Sequence, residues 1–233
     1  MMFETSVREI IPRTSDVSSF RFPRPAELTY KPGQYLFVTI KSGGKELLHT
    51  FSLSSSPTEE DFIEFTKKFT ASEYSTALKA MKAGDWAKID APHGSFTFMG
   101  EHKKIVLLAG GIGITPFRSI CKYCTDMRVP ASIVLFYGCR SENDIAFQTE
   151  LEDLQKQNPN FKVIVVLSEA GSGWKGKVGF INADLIKTEV PDYKERVFFA
   201  CGPPGMIVAM EKVVGELGLP KEQLKLESFA GHQ

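Results

Sequence analysis

The first hundred residues alternate short apolar stretches with turn residues. Aromatic and β-branched side chains dominate four of these stretches, "GQYLFVTI", "HTFSLSS", "DFIEFTKKF" and "DWAKIDAP". The turns "KPG", "KSGGK" and "KAGD" lie between them, as is typical of strands joined by short loops. Only "SEYSTALKAMKAG" has helical spacing, with Leu78 and Met81 on one face and Gly84 as a stop. The pattern predicts a small antiparallel Greek-key β-barrel over residues 1–100.

From about residue 101 the apolar stretches become nearly continuous. "KIVLLA", "SIVLFYG", "FKVIVVLS" and "RVFFACG" are typical of parallel strands that are buried on both faces. Helices are predicted between them at residues 116–127, 144–157, 182–189 and 204–217, and "QLKLESF" is predicted as a last strand. The second half is therefore expected to be a doubly wound parallel α/β domain of about five strands, over residues 101–233.

Charge and cysteine content narrow the class of protein. Basic and acidic residues balance at 28 each, which argues against nucleic acid or an anionic membrane as a partner. Neither a leader sequence nor a run of about twenty apolar residues is found, so we expect a cytoplasmic protein without membrane insertion. Cys121 and Cys124 form a single C-x-x-C with no second pair or nearby histidine. This favours free thiols in a reducing compartment and no metal site.

Four glycine- or proline-rich segments each follow a predicted strand of the second half. They are "GGIGITP", "GCRSEND", "SEAGSGW" and "CGPPGM". Ligands of open parallel sheets bind beyond the carboxyl ends of the strands, so these segments predict a nucleotide site at that edge. Gly110, Gly111 and Gly113 would let a pyrophosphate approach the backbone amides at the start of a helix. Thr115 could cap that helix, and Pro116 is suited to its first turn.

Separate motifs in a fixed order resemble the ferredoxin–NADP reductase superfamily along nearly the whole chain. "HTFS" is similar to that family's Arg-x-Tyr-Ser, and "SEYSTAL" resembles its Gly-x-x-Ser at the start of a flavin-phosphate helix. "GGIGITP" and "CGPPGM" match its nucleotide motifs, and "ESF" resembles its Glu-x-aromatic ending. The resemblance implies a flavin-binding barrel joined to a domain that binds a nicotinamide nucleotide.

By this resemblance, four residues would act at the reacting atoms. Ser52 would donate a hydrogen bond near flavin N5, and Phe229 would stack on the isoalloxazine until nicotinamide arrives. Cys201 would lie beside nicotinamide C4 without acting as a nucleophile. Glu227 would be a polar group near the nicotinamide, although a solvated strand carboxylate is an equal alternative.

The remaining expected contacts fall into two sets. In the flavin set, Phe51 would pack on the cofactor, and the helix start at Ser72–Ser75 would hold its phosphates. The flavin set comprises His49, Thr50, Phe51, Ser52, Leu53, Ser54, Thr66, Lys67, Ser72, Ser75 and Phe229. The nucleotide set comprises Gly110, Gly111, Gly113, Thr115, Pro116, Arg140, Ser168, Glu169, Cys201, Gly202, Pro203 and Met206. The phosphate-binding helix favours FAD over FMN.

His49 is the main departure from the family pattern, because an arginine usually stands there to pair with the flavin phosphates. Histidine is only fractionally charged at neutral pH and cannot make a bidentate contact. A lost charge-assisted bond is worth about 1.5–3 kcal/mol, or about ten- to a hundredfold in affinity. The sequence predicts weaker FAD binding unless Lys67 and Lys68 compensate.

The family chemistry is hydride transfer from NADH or NADPH to FAD, followed by single-electron transfer to an acceptor. The chain has no cysteine cluster for a fused [2Fe–2S] domain, so a separate acceptor is expected: ferredoxin, flavodoxin, an oxygenase component, free flavin or a haem protein. Two alternatives are an NAD(P)H:free-flavin reductase and a non-catalytic electron-transfer subunit of a larger complex.

NADH is favoured over NADPH by the pair Ser168-Glu169. NADPH-dependent relatives commonly carry Ser-Arg at the matching position. A carboxylate there would repel a 2′-phosphate by about 1–3 kcal/mol. Arg140, Lys175 and Lys177 argue for NADPH, since each could reach toward that phosphate.

Overall fold

The computed structural model describes residues 1–229, and its first part consists of two antiparallel sheets around one apolar core. The strands are β1 (Met2–Ser6), β2 (Glu9–Pro12), β3 (Val17–Pro23), β4 (Tyr35–Ser42), β5 (Lys45–Ser52), β6 (Phe62–Lys68) and β7 (Trp86–His93), and helix α1 (Glu73–Ala80) precedes β7. The sheet orders are β1-β7-β4-β5 and β2-β3-β6. Leu53, just beyond β5, bridges Phe65 of β6 and so joins the two sheets.

Strands β4 to β7 and helix α1 were predicted, whereas β1 to β3 were not. The side chains of β1 and β2 are half-buried or exposed along their whole length, so their segments lack the apolar runs that mark the other strands. Strand β1 pairs antiparallel with the distant strand β7, and β2 pairs with its sequence neighbour β3, so pairing supplies what the apolar pattern does not. The apolar core between the sheets includes Phe20, Phe22 and Phe65, which are all fully buried.

The second part is a parallel sheet with helices on both faces. Its elements are β8 (Lys104–Gly110), α2 (Ile114–Asp126), β9 (Ser132–Cys139), α3 (Gln148–Gln157), β10 (Phe161–Leu167), β11 (Lys177–Val178), α4 (Ala183–Glu189), β12 (Val197–Gly202), α5 (Pro204–Glu216) and β13 (Leu224–Ser228). The strand order is β11-β10-β9-β8-β12-β13. The predicted fold is confirmed, but the sheet has six strands in the described residues where about five were expected. The extra strand, β11, has only two residues and gives no pattern of its own.

Helix α3 begins four residues later than the predicted 144–157. A separate turn, Glu142–Asp144, occupies the predicted start and is closed by reciprocal bonds between Ser141 and Asp144. Phe147 then takes a left-handed conformation with φ of 61° at the cap of α3. A left-handed residue cannot continue a helix, so the turn and α3 are separate elements.

The connection between the two sheets is anchored by aromatic packing. It runs from residue 94 to residue 103. Phe96 and Phe98 of this connection pack edge-on against Phe199 of β12, with ring centroids 5.6 Å and 6.0 Å apart. The end of the barrel is thereby brought against the carboxyl edge of the parallel sheet. Within residues 1–229, none of the helices has the length and apolar character needed to cross a membrane.

Candidate active site

A cavity of about 500 Å³ lies where the barrel meets the edge of the parallel sheet. The barrel contributes the end of β5 and the start of the connection, and the sheet contributes the end of β13. The lining residues are Tyr35, His49, Thr50, Phe51, Ser52, Gly94, Ser95, Phe96, Leu226, Glu227, Ser228 and Phe229. Residues separated by about 175 positions in sequence therefore line one cavity.

Ser52 and Glu227 are in direct contact across this cavity. The Ser52 hydroxyl donates to Oε1 of Glu227 over 3.2 Å, and Ser52 is buried. Burial raises the pKa of Glu227 from its ordinary value of 4.5 to about 7, although the bond from Ser52 opposes the shift. Both the protonated and the ionised form of this carboxyl group are therefore populated at neutral pH, and the neighbouring hydroxyl can donate to it or to a ligand.

Cys201 lies beside Glu227 because β12 and β13 pair in parallel with these two residues in register. Its side chain is fully buried. Burial, with the nearby charge of Glu227, raises the pKa of the Cys201 thiol well above its ordinary range. The thiol is thus protonated at neutral pH. Phe229 follows β13, and its amide donates to the carbonyl of Gly202.

The ring of Phe51 is enclosed by other rings. It stacks on Phe65 with centroids 4.3 Å apart, and the His49 ring stacks on it at 4.8 Å. Burial lowers the pKa of His49, and the charge of Lys67 lowers it further. His49 is therefore neutral at pH 7 and does not supply the positive charge of the family's arginine. Burial also lowers the pKa of Lys67, to about 8.

Six members of the expected flavin set are not among the residues that line this cavity: Leu53, Ser54, Thr66, Lys67, Ser72 and Ser75. Leu53 and Ser54 are fully buried and Thr66 is nearly so. The hydroxyl of Ser54 donates to Glu64 over 2.8 Å and is also bonded to Thr66. The side chains of Leu53, Ser54 and Thr66 are engaged inside the barrel half, which corrects the expectation that they face the flavin.

The expected phosphate-binding helix start has a simple cap. Ser72 is the N-cap of α1, and its hydroxyl accepts from the amide of Ser75 over 3.3 Å. The Ser75 hydroxyl accepts from the amide of Thr70 over 2.8 Å, and Ser75 is buried. Ser72 remains half-exposed at the helix start, whereas the Ser75 side chain is turned into the loop before the helix.

A second cavity, of about 440 Å³, lies at the carboxyl ends of β8, β9, β10 and β12. It is lined by Gly110, Gly111, Gly138, Cys139, Arg140, Val166, Ser168, Gly179, Phe180, Ile181, Pro203, Gly205, Met206, Ala209 and Met210. The strand ends thus bring six members of the expected nucleotide set together at one edge, as the loop pattern predicted: Gly110, Gly111, Arg140, Ser168, Pro203 and Met206.

Gly113 and Thr115 serve the turn itself and do not line this cavity. A Cβ on Gly113 would lie 2.2 Å from the carbonyl oxygen of Cys201, so only glycine lets the turn pack on β12. The buried Thr115 hydroxyl donates to the carbonyl of Ile112 over 3.1 Å. Helix α2 begins at Ile114, so Thr115 lies inside the helix and Gly113 is its cap. The expected capping role of Thr115 is therefore wrong, although Pro116 does lie in the first turn.

Arg140 and Glu169 pair at the rim of the second cavity. Arg140 Nε donates to Glu169 Oε2 over 3.0 Å, and the two side chains are 72% and 62% exposed. Phe180 also lines the cavity and is 79% exposed. Sequence reasoning missed Phe180, because an apolar residue near a strand is ordinarily assigned to the core. The glycine before it, Gly179 with φ of +108°, was the available signal of a turn.

Comparison with known proteins identifies the class. Residues 4–98 match the oxidoreductase FAD-binding domain, and residues 107–212 match the oxidoreductase NAD-binding domain. The chain belongs to the ferredoxin–NADP reductase superfamily of FAD- and NAD-binding oxidoreductases, as its motifs predicted.

Individual relatives have different partners in their names. The chain is 30% identical to NADH-cytochrome b5 reductase 1 of Ajellomyces capsulatus, over 97% of this chain and 77% of that protein. It is 28% identical to the glycine betaine monooxygenase reductase subunit of Chromohalobacter salexigens, over 95% of this chain but only 62% of that protein. The FAD/NAD-binding domain of nitric oxide dioxygenase from Vibrio cholerae has the same fold, with a TM-score of 0.87, 24% identity, and coverage of 97% of this chain and 98% of that one.

Proposed function

We propose that this protein transfers a hydride from NADH to FAD in the cavity between its two halves and delivers electrons to a separate acceptor. Bound FAD would supply the redox chemistry, by taking up two electrons together and releasing them singly. The observation that carries the proposal is the contact of Ser52 with Glu227 in one cavity that both halves of the chain line.

The protein side chains would position the reacting groups and manage a proton. The Ser52 hydroxyl is a buried donor that can turn from Glu227 toward a ligand atom. Glu227, with a pKa of about 7, can take up or release a proton at physiological pH. Cys201 is not among the residues that line the cavity, and it would pack behind Glu227 from the neighbouring strand. Phe229 would cover the flavin face until the nucleotide enters.

The second cavity would hold the adenosine part of the nucleotide. Backbone amides near Gly110 and Gly111 would meet the pyrophosphate, and the exposed ring of Phe180 would pack on the adenine. The contact between Glu169 and Arg140 occupies the cation that could otherwise bind a 2′-phosphate. This neutralisation supports NADH as the substrate, in agreement with the Ser168-Glu169 pair.

The acceptor is proposed to be a haem protein or an oxygenase component. The names of relatives, a cytochrome b5 reductase and a monooxygenase reductase subunit, support these two among the expected acceptors. Ferredoxin and flavodoxin are the next candidates to assay.

An anaerobic titration tests the proposed function. Protein saturated with FAD is mixed with increasing NADH, and the visible flavin absorbance is followed. We expect one equivalent of NADH to bleach one equivalent of bound flavin. Absence of bleaching would exclude a reductase and would favour a non-catalytic electron-transfer subunit.

Free-flavin reduction is a second candidate, and the neutral His49 is the observation that favours it. Without the family's arginine, flavin could be a substrate that is released after reduction. Desalting of FAD-saturated protein distinguishes the two candidates: flavin that stays bound supports a prosthetic group, and flavin lost completely supports a released substrate. Acid extraction of the retained flavin should yield FAD and not FMN.

A further inference from the structure

A buried cluster of charged residues joins the two halves of the protein. We call it the interdomain cluster; it comprises Arg13, Glu59, Glu64, Arg118 and Glu150. Arg118 of α2 lies at its centre, and only 4% of its side chain is exposed. Glu59 belongs to the barrel half and Glu150 to α3, so the guanidinium is held from both sides. Such a cluster contributes little net stability, but removal of one partner is costly.

Arg118 uses every N–H of its guanidinium in this cluster. Nε and Nη2 donate to Glu150 Oε2 over 2.9 Å and 2.8 Å. Nη2 and Nη1 donate to the two carboxylate oxygens of Glu59. The remaining hydrogen, on Nη1, goes to the backbone carbonyl of Ser54 over 3.0 Å. A lysine has three donors on a single atom and cannot reproduce this planar arrangement.

The next residue of α2 makes a parallel contact. The Ser119 hydroxyl donates to the carbonyl of Ser55 over 2.6 Å. Two consecutive residues of the helix therefore bind two consecutive carbonyls of the segment that follows β5. Ser52, at the cavity, is the last residue of β5 and lies two positions before Ser54.

The same helix begins at the glycine turn of the nucleotide half. Gly113 immediately precedes α2, and Arg118 is about one turn inside the helix. The turn is thus rigidly connected, through α2 and Arg118, to the strand end that carries Ser52. Hydride transfer depends on the separation of donor and acceptor, and a displacement of about 1 Å can cost about a hundredfold in rate.

We propose that Arg118 is a positioning residue for hydride transfer, which holds the Ser52 end of the flavin cavity in register with the glycine turn of the nucleotide site. The inference rests on the proposed function. It assigns to a residue that lines neither cavity a specific effect on the rate of flavin reduction, distinct from any effect on nucleotide affinity.

Arg118→Lys tests the inference, because it keeps the positive charge between Glu59 and Glu150 while losing the planar set of donors. Arg196→Lys is the matched control. Arg196 is also buried, and it bonds to Asp192, Ser132 and Ile105 entirely inside the nucleotide half.

The first readout is single-turnover flavin reduction by saturating NADH under anaerobic conditions. We expect Arg118→Lys to slow reduction at least tenfold while the NADH dissociation constant from the same titration changes less than threefold. Arg196→Lys should reduce flavin within threefold of the wild-type rate. Ser119→Ala leaves the interdomain cluster intact and should slow flavin reduction less than Arg118→Lys does. It replaces Arg118→Lys as the test variant if Arg118→Lys does not fold.

The second readout is amide hydrogen exchange in the protein without flavin. Peptides that cover residues 53–56 should lose protection in Arg118→Lys and keep it in Arg196→Lys. Wild-type rates of reduction in a folded Arg118→Lys, or in Ser119→Ala if the lysine variant is unfolded, would overturn the inference. An equal slowing in Arg196→Lys would also overturn it, as a general stability effect. A wild-type protein that NADH does not bleach overturns the proposed function as well.

Discussion

The parallel sheet and the barrel build their cavities from different parts of the chain. The cavity at the sheet edge is lined by the carboxyl ends of strands, the turns that follow them and the start of α5, and five of its lining residues are glycines. The cavity at the barrel end depends on side chains brought together from β5 and β13, with Ser52 and Glu227 as the clearest pair. Turn-built sites depend on local conformation, whereas side-chain sites depend on the packing of distant elements.

The largest effect on stability is expected at Gly113, where the glycine turn packs directly on the backbone of β12. Gly113→Ala would place a Cβ 2.2 Å from the Cys201 carbonyl, and backbone cannot give way cheaply. We expect a loss of about 3 kcal/mol in the free energy of unfolding, measured in urea. Gly205→Ala is the control, since a Cβ there meets no atom within 4 Å. Equal stability of the two variants would refute the packing argument.

Protonation of Glu227, in the cavity at the barrel end, should make the free energy of unfolding depend on pH. The pKa of Glu227 rises from 4.5 to about 7 on folding, so the folded state binds this proton more tightly than the unfolded chain. The wild type therefore loses stability as pH rises from about 4.5 through 7, by about 2–3 kcal/mol. Glu227→Gln cannot ionise, so its stability relative to the wild type should increase over that window. A difference that stays constant between pH 4.5 and pH 8 would contradict the raised pKa.

His49→Arg would restore a fixed positive charge to the barrel cavity. We expect the dissociation constant for FAD, from fluorescence titration, to fall about ten- to a hundredfold. The gain should exceed that of Thr50→Arg, which adds the same charge at the adjacent position on the strand. If the two variants bind FAD equally well, only net charge matters and the position of His49 has no special role.

Glu169→Arg tests the rim of the sheet cavity. Removal of the carboxylate frees Arg140, and the new cation adds attraction for a 2′-phosphate. We expect the ratio of kcat/KM for NADH over NADPH to fall by up to about a hundredfold. Glu142→Arg, in a neighbouring loop whose carboxylate faces the amide of Gly171, is the control and should shift the ratio less. An NADPH preference in the wild type would contradict the role given to Glu169.

The same contrast explains what could be predicted from the sequence. The strands β8 to β10 and β12, and the glycine-rich segments after them, follow from local patterns, because burial on both faces and tight turns leave clear signals. Strands β1 and β2 leave no apolar run, since their residues are half-buried or exposed. Strand β3 was missed although Phe20 and Phe22 are buried, and its pairing with the distant strand β6 could not be read locally.

Within the site, motif resemblance pointed to Ser52 and Glu227, and both line the cavity at the barrel end. Their roles toward flavin and nicotinamide stay predictions. It could not indicate that the side chains of Ser54 and Thr66 bond to each other and to Glu64 inside the barrel half, because tertiary packing determines those contacts. Arg118 was missed for a related reason. A charged residue on a helix is ordinarily solvent-exposed, and only the tertiary structure brings Glu59 and Glu150 around it.

Single-turnover reduction of Ser52→Ala tests most directly that the two halves form one reaction site. Ser228→Ala, on the same cavity lining, is the matched control. We expect Ser52→Ala to keep its fold and its FAD. The activation free energy for reduction of its flavin by NADH should rise by about 2–4 kcal/mol, which slows reduction roughly thirty- to a thousandfold. Ser228→Ala should stay within threefold of the wild type. An unchanged rate in flavin-loaded Ser52→Ala would contradict the account.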